Sequence, residues 1–166
     1  MRSALLVTAL ESIKTKKGFS NVSVTYMIVL SGITALEKSN TKLVFPFWGE
    51  YVDAANGKGS DGLVPHIYNT PYITIMNDYL VEGLPMEQGV ALASAPMVTS
   101  QWYKDLQAVG EDSTEFDESD KALLEGDLLQ YVKKFASNEA ELRVAFESGW
   151  TYMMKADRHG VSKNTI

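Results

Sequence analysis

Apolar residues recur at helical intervals along most of the chain, and the breaks between those runs divide it. Over residues 3–16, Leu5, Leu6, Ala9, Leu10 and Ile13 share one face at α-helical spacing. Gly18 follows where a left-handed residue closes a helix. Ser23 is placed to cap a second helix, from about Val24 to Lys38, by accepting an amide hydrogen bond. Met27, Ile28, Leu30, Ile33 and Leu36 nearly encircle that helix, which predicts deep burial. Between residues 40 and 70, Pro46, Gly49, Gly57, Gly59, Gly62 and Pro65 break every periodicity. This predicts one long irregular excursion, with room for two short strands, of a length that serves function or wraps a partner.

Helical patterning returns after Pro71. The spacing predicts a helix over Tyr72 to Val81, stopped by Gly83, and another with Pro85 in its first turn that runs to about Ala95. Pro96 ends it by removing an amide donor. A helix from Thr99 to Val109 and short helices over 120–125 and 127–136 come next. Asn138 and Glu141 have the spacing of a capping box, opening a last helix with Leu142, Ala145, Phe146, Trp150 and Met153 on one face. The tail from Arg158 onward reads as frayed. The expected fold class is all-α, with no internal repeat.

Composition narrows the function classes. A chain of 166 residues suits one domain. With 45% hydrophobic and 22% charged residues it is not a disordered sequence. Its longest apolar run, Tyr26 to Ile33, is broken by Ser31 and Gly32 and falls short of the ~20 residues that span a bilayer. The net charge of -6 comes without a basic stripe, which argues against nucleic acid as a partner. Lys14, Lys16 and Lys17 read as the cationic end of the first helix. The absence of cysteine excludes disulfides, thiolate metal sites and cysteine nucleophiles. The apolar start after Met1 and Arg2 meets Glu11 and Lys14 with no cleavage region, so it reads as a folded helix rather than a signal peptide.

Little catalytic chemistry is visible. His66 and His159 are the two imidazoles, and neither has a second ligand at metal-binding spacing. The Gly57–Gly62 stretch lacks the spacing of a phosphate loop, and no serine stands in a nucleophile elbow. Six carboxylates lie between Glu111 and Asp120 without the alternation of a calcium loop, and read as a solvated helix entry.

Several segments, in shared order, resemble the haem peroxidases of the ascorbate peroxidase and catalase-peroxidase group. They are Ala4-Leu5-Leu6 through Lys14, Val22–Tyr26, Ile28–Gly32 with Ala35-Leu36-Glu37, and Phe45-Pro46-Phe47 with Val52-Asp53-Ala54. Leu84 with Val90-Ala91-Leu92 resembles the family's proximal helix. Ser119–Leu124, and Trp150-Thr151 with Met154, Asp157 and Arg158, resemble its later segments. The resemblance implies a haem-peroxidase-like helical domain lacking the N-terminal distal helices.

In that register the distal arginine, aromatic residue and histidine precede residue 1. Pro96 falls where the proximal histidine would hold haem iron, and Thr99 where an aspartate would orient that histidine. Glu50-Tyr51 replaces the family's glycine-arginine. The resemblance therefore implies no catalytic, metal or cofactor-binding residue and a lost haem. The expected protein is a soluble, non-catalytic subunit that docks into a larger assembly and meets a membrane only through its partners. Met27, Leu30, Val90 and Leu92, on helices that would face the missing ones, are the candidate interface residues. A peroxidase-like branch in the thylakoid lumen, associated with photosystem II, makes a photosynthetic complex the implied partner and the chloroplast thylakoid lumen the implied compartment. Two alternatives stand beside this. One is an active, hydrogen-peroxide-dependent haem peroxidase of which this is a C-terminal part. The other is a carrier holding a pigment or lipid in the vacated cleft.

Overall fold

Both ends of the first helical hairpin form through local hydrogen bonds. In the computed structural model, which describes residues 2–19, 21–47, 51–53, 56, 83–95, 97–109 and 114–155, α1 spans Arg2–Lys16 and α2 spans Val24–Ser39. Gly18 adopts φ +72°, and the amides of Gly18 and Phe19 reach back to the carbonyls of Thr15 and Lys14. That pattern closes α1 and uses the conformation that glycine adopts without strain. Ser23 caps α2, accepting from the Tyr26 amide at 3.0 Å. The Asp53 carboxylate, arriving from the following loop, accepts from the amides of Val24 at 2.9 Å and Thr25 at 2.8 Å. Two otherwise open donors of the helix N-terminus are thereby paired.

The deep burial expected for α2 is not observed: Ile33 and Leu36 are its buried residues, while Ile28 is 41% exposed. A helix that is apolar all round can turn only one side to a given neighbour. Here one side meets α1 and the loop residues Phe45 and Phe47, and the remainder is left half-covered. The same holds for α1, where Leu10 is buried but Leu5, Leu6 and Ile13 are exposed.

The other elements form the body. They are α3 (Met86–Leu92), α4 (Ser100–Ala108), α5 (Glu118–Lys121), a 3-10 turn at Ala122–Leu124, α6 (Leu128–Ser137) and α7 (Glu139–Lys155). The described residues contain helices and turns and no strand, so the all-α expectation holds for them. The irregular excursion is seen over 40–47 and 51–53; the helix expected over Tyr72–Val81 and the tail after Arg158 lie outside the described residues. The third helix ends at Leu92 rather than Ala95, because the amides of Ala93, Ser94 and Ala95 bond three residues back and tighten the chain into turns. A residue that precedes proline disfavours the α conformation, so the helix stops before Pro96.

Packing in the body is dense. Tyr103, Leu106, Leu128, Val132, Phe135, Leu142 and Phe146 are all excluded from water. Helices α3 and α7 cross closely at Gly149, where an added Cβ would lie 3.2 Å from Gln88 and from Leu92 Cδ1. Tyr103 and Phe135 bring α4 onto α6 with ring centroids 5.4 Å apart. The hairpin joins this core through Phe45, whose ring lies 5.9 Å from that of Trp150, and through Asn40, whose amide donates to the Val98 carbonyl at 3.1 Å. Val98 itself is buried with φ +45°, a strained conformation for a β-branched residue, held between Asn40 and the Ser94 carbonyl.

Candidate functional site

The structure separates the residues singled out in the sequence. Thr99 is the N-cap of α4, and its hydroxyl accepts from the Trp102 amide. Its role there is structural and local. Tyr51 is buried, its hydroxyl donating to the Met154 carbonyl at 3.1 Å. His66, His159, Glu50 and Pro96 lie outside the described residues.

The four candidate interface residues divide. Val90 is fully buried, so it does not belong to an exposed apolar face. The Tyr103 hydroxyl donates into the carbonyls of Val90 and Ala91, at 2.7 and 3.1 Å, and closes the end of α3 against α4. Leu92 is half-buried and lies over Gly149 of α7. Met27 and Leu30, by contrast, line an open groove between α1 and α2.

That groove has a volume of about 340 Å³. Leu10 and Ile13 come from α1; Met27, Leu30, Ser31, Thr34, Ala35 and Lys38 come from α2. The two hydroxyls do not make it polar. Ser31 donates to the Ile28 carbonyl and Thr34 to the Leu30 carbonyl, both at 2.8 Å and within their own helix. The lining is therefore apolar in effect, with a lysine at one end. On the same hairpin Leu5, Leu6, Phe19 and Ile28 are also exposed, at 69%, 52%, 49% and 41%. Several exposed apolar side chains on one hairpin, rather than a single exposed leucine, are the kind of surface that marks interaction sites.

A second cleft, also about 340 Å³, runs between α3, α6 and α7. At its centre the Lys134 amine lies 2.7 Å from both Glu87 and Glu141. The amine donates to the Glu141 and then the Glu87 carboxylate, and these bonds hold it protonated well above the ordinary lysine range. A lysine so fixed is neither a base nor a nucleophile at neutral pH; the triad ties three helices together at their surface. Elsewhere, the Thr25 and Val24 amides hold the Asp53 carboxyl below its ordinary value. Burial, with the nearby Asp117 charge, pushes Asp120 above it, inside the capping box that opens α5.

Among the described residues no three histidine, cysteine, aspartate or glutamate side chains gather into a set that holds a metal. No helix among them is long and apolar enough to cross a membrane. Where α3 turns toward α4, Ser94, Val98 and the incoming Tyr103 of α4 are fully buried. Compared with known proteins, the chain matches no family model, no curated protein and no solved structure. The groove was half-visible in the sequence. Met27 and Leu30 were interface candidates, whereas Leu10 and Ile13 were read only as one helix's apolar face and Ala35 was not singled out for the groove, because periodicity cannot tell a face turned to a core from one left open.

Proposed function

We propose that the chain is a non-catalytic, haem-free subunit that docks into a larger assembly through the α1–α2 hairpin. The observation that carries this reading is the apolar α1–α2 groove, on a hairpin that also exposes Leu5, Leu6, Phe19 and Ile28. Exposed side chains of this size gain about 1.5–3 kcal/mol each when a partner fully covers them, so a few supply a usable interface core. The haem-free part is supported by Pro96 in the position the peroxidase resemblance assigns to an iron ligand. The photosynthetic complex and the thylakoid lumen belong to the same proposal and are supported by that resemblance.

Sedimentation of the native protein from its source tests the reading. It should migrate in an assembly much larger than 18.3 kDa and fall to the monomer position in Leu30→Glu. Migration of the unaltered chain as a free monomer overturns the docking function. Titration with haemin should give no saturable histidine-type Soret band, and such a band would remove the haem-free part.

A further inference from the structure

The two signs of charge are not spread evenly over the molecule. Residues 1–39 carry five basic and two acidic side chains, whereas residues 40–166 carry ten and nineteen. The hairpin is therefore at +3 on a remainder at -9. Its basic groups also stand at the groove. Lys38 lines the groove, and Lys16 at the end of α1 and Lys17 just past it, both exposed, follow the lining residue Ile13 by three and four positions. The acidic groups nearby are engaged or few. The Glu37 carboxylate accepts the Phe45 amide at 3.2 Å, Asp53 accepts the first amides of α2, and Glu11 is exposed on α1.

We infer that the α1–α2 groove receives an amphipathic helix of another protein, with apolar anchors one turn apart and acidic residues on its flanks. This rests on the docking reading above and specifies its partner. The groove is open and runs about three turns of α2 from Met27 to Lys38, a length along which an apolar helix face can lie. Met27 in its lining adapts to varied anchors. Lys38 in the lining, with the exposed Lys16 and Lys17 following Ile13 in the chain, favours carboxylates on the incoming helix and disfavours cationic ones. A second copy of this chain docked face to face would set one cationic hairpin against another, because a two-fold interface pairs the same patch with itself.

The test uses three synthetic peptides of about 18 residues with the same apolar heptad positions and glutamate, glutamine or lysine on the flanks, alongside phosphatidylglycerol vesicles. Binding of each to the full chain is followed by fluorescence anisotropy of the labelled peptide, or by co-sedimentation for vesicles. The acidic peptide should bind about tenfold tighter than the basic one, with an affinity that falls as salt rises. Lys16→Glu/Lys17→Glu/Lys38→Glu should invert that order. Ile13→Asn, at a side chain already 46% exposed, should weaken all three peptides while leaving the circular dichroism spectrum unchanged. Equal or tighter binding of the basic peptide, binding of none of the three, or vesicle binding without peptide binding would each overturn the inference. Docking of the native protein that survives the triple reversal but not Leu30→Glu would overturn only the acidic partner and leave the docking function standing.

Discussion

Helices α2 and α6 show how little the amount of apolar sequence says about burial. The more apolar of the two is α2, yet it buries only Ile33 and Leu36, while the shorter α6 buries Leu128, Val132, Phe135 and Ala136. What differs is phase. In α6 the apolar residues fall on one side and the charged Lys133 and Lys134 on the other, so α4, α3 and α7 packed around that side cover them. In α2 they surround the axis, and the neighbours available cover one side. The body thus behaves as a finished core and the α1–α2 hairpin as an unfinished one.

The largest test of this contrast is truncation in each region. Phe146→Ala, in the body, should lower unfolding stability by about 3–5 kcal/mol in urea titration. Leu6→Ala, on α1, should change it by less than about 0.5 kcal/mol. A cost above about 2 kcal/mol at Leu6 would show that the face of α1 is covered, and the contrast would fail. Glycine substitutions sharpen the same point. Gly149→Ala forces a methyl against the Gln88 backbone carbonyl and Leu92, and should cost about 1–3 kcal/mol. Gly32→Ala meets the edge of the Trp150 ring at 3.3 Å, and the gain in helix propensity of up to about 1 kcal/mol should leave it near neutral. Differential scanning calorimetry separates the two.

Smaller effects follow from hydrogen bonds. Tyr103→Phe removes the donor that meets the Val90 and Ala91 carbonyls inside the body, and should cost about 1–2 kcal/mol in the same titration. The pH dependence should separate two carboxylates. Asp53 is depressed below its ordinary value of 3.8, so its stabilisation of α2 is present above that value and is lost as pH falls through the lower folded one. Asp120 is raised above the same value, so its contribution has the opposite sign and stability recovers as pH falls through that window. Asp53→Asn should therefore flatten the acid limb of a stability-pH curve and Asp120→Asn steepen it, with about 1 kcal/mol at stake in the Asp53 cap. An unchanged acid limb in Asp53→Asn would show that the cap does not hold the hairpin entry.

Much of the secondary structure was legible because its signals are local. Gly18, Ser23, Thr99 and Asn138 mark helix boundaries through hydrogen bonds to residues within five positions, and such pairings need no knowledge of the rest of the chain. The exceptions have physical causes. The third helix stopped early because successive turns leading to Pro96 tightened, a detail below the resolution of periodicity. Of the candidate interface residues, Val90 was misplaced because its apolar neighbours on α3 point equally well to a core or to a surface. Only the arrival of Tyr103 from α4 decided for the core.

By itself, the sequence determined the helical class of the described residues, most helix ends, the lack of thiol chemistry and the acidic balance, since each depends on composition or on contacts a few residues apart. Tertiary structure decided which apolar face found a partner. It sealed Val90, packed α3 across α7 at Gly149, brought Asp53 back to the start of α2, and left Leu10, Ile13, Met27 and Leu30 around an open groove. The reason is that burial is a property of pairs of surfaces, and the second surface lies far along the chain.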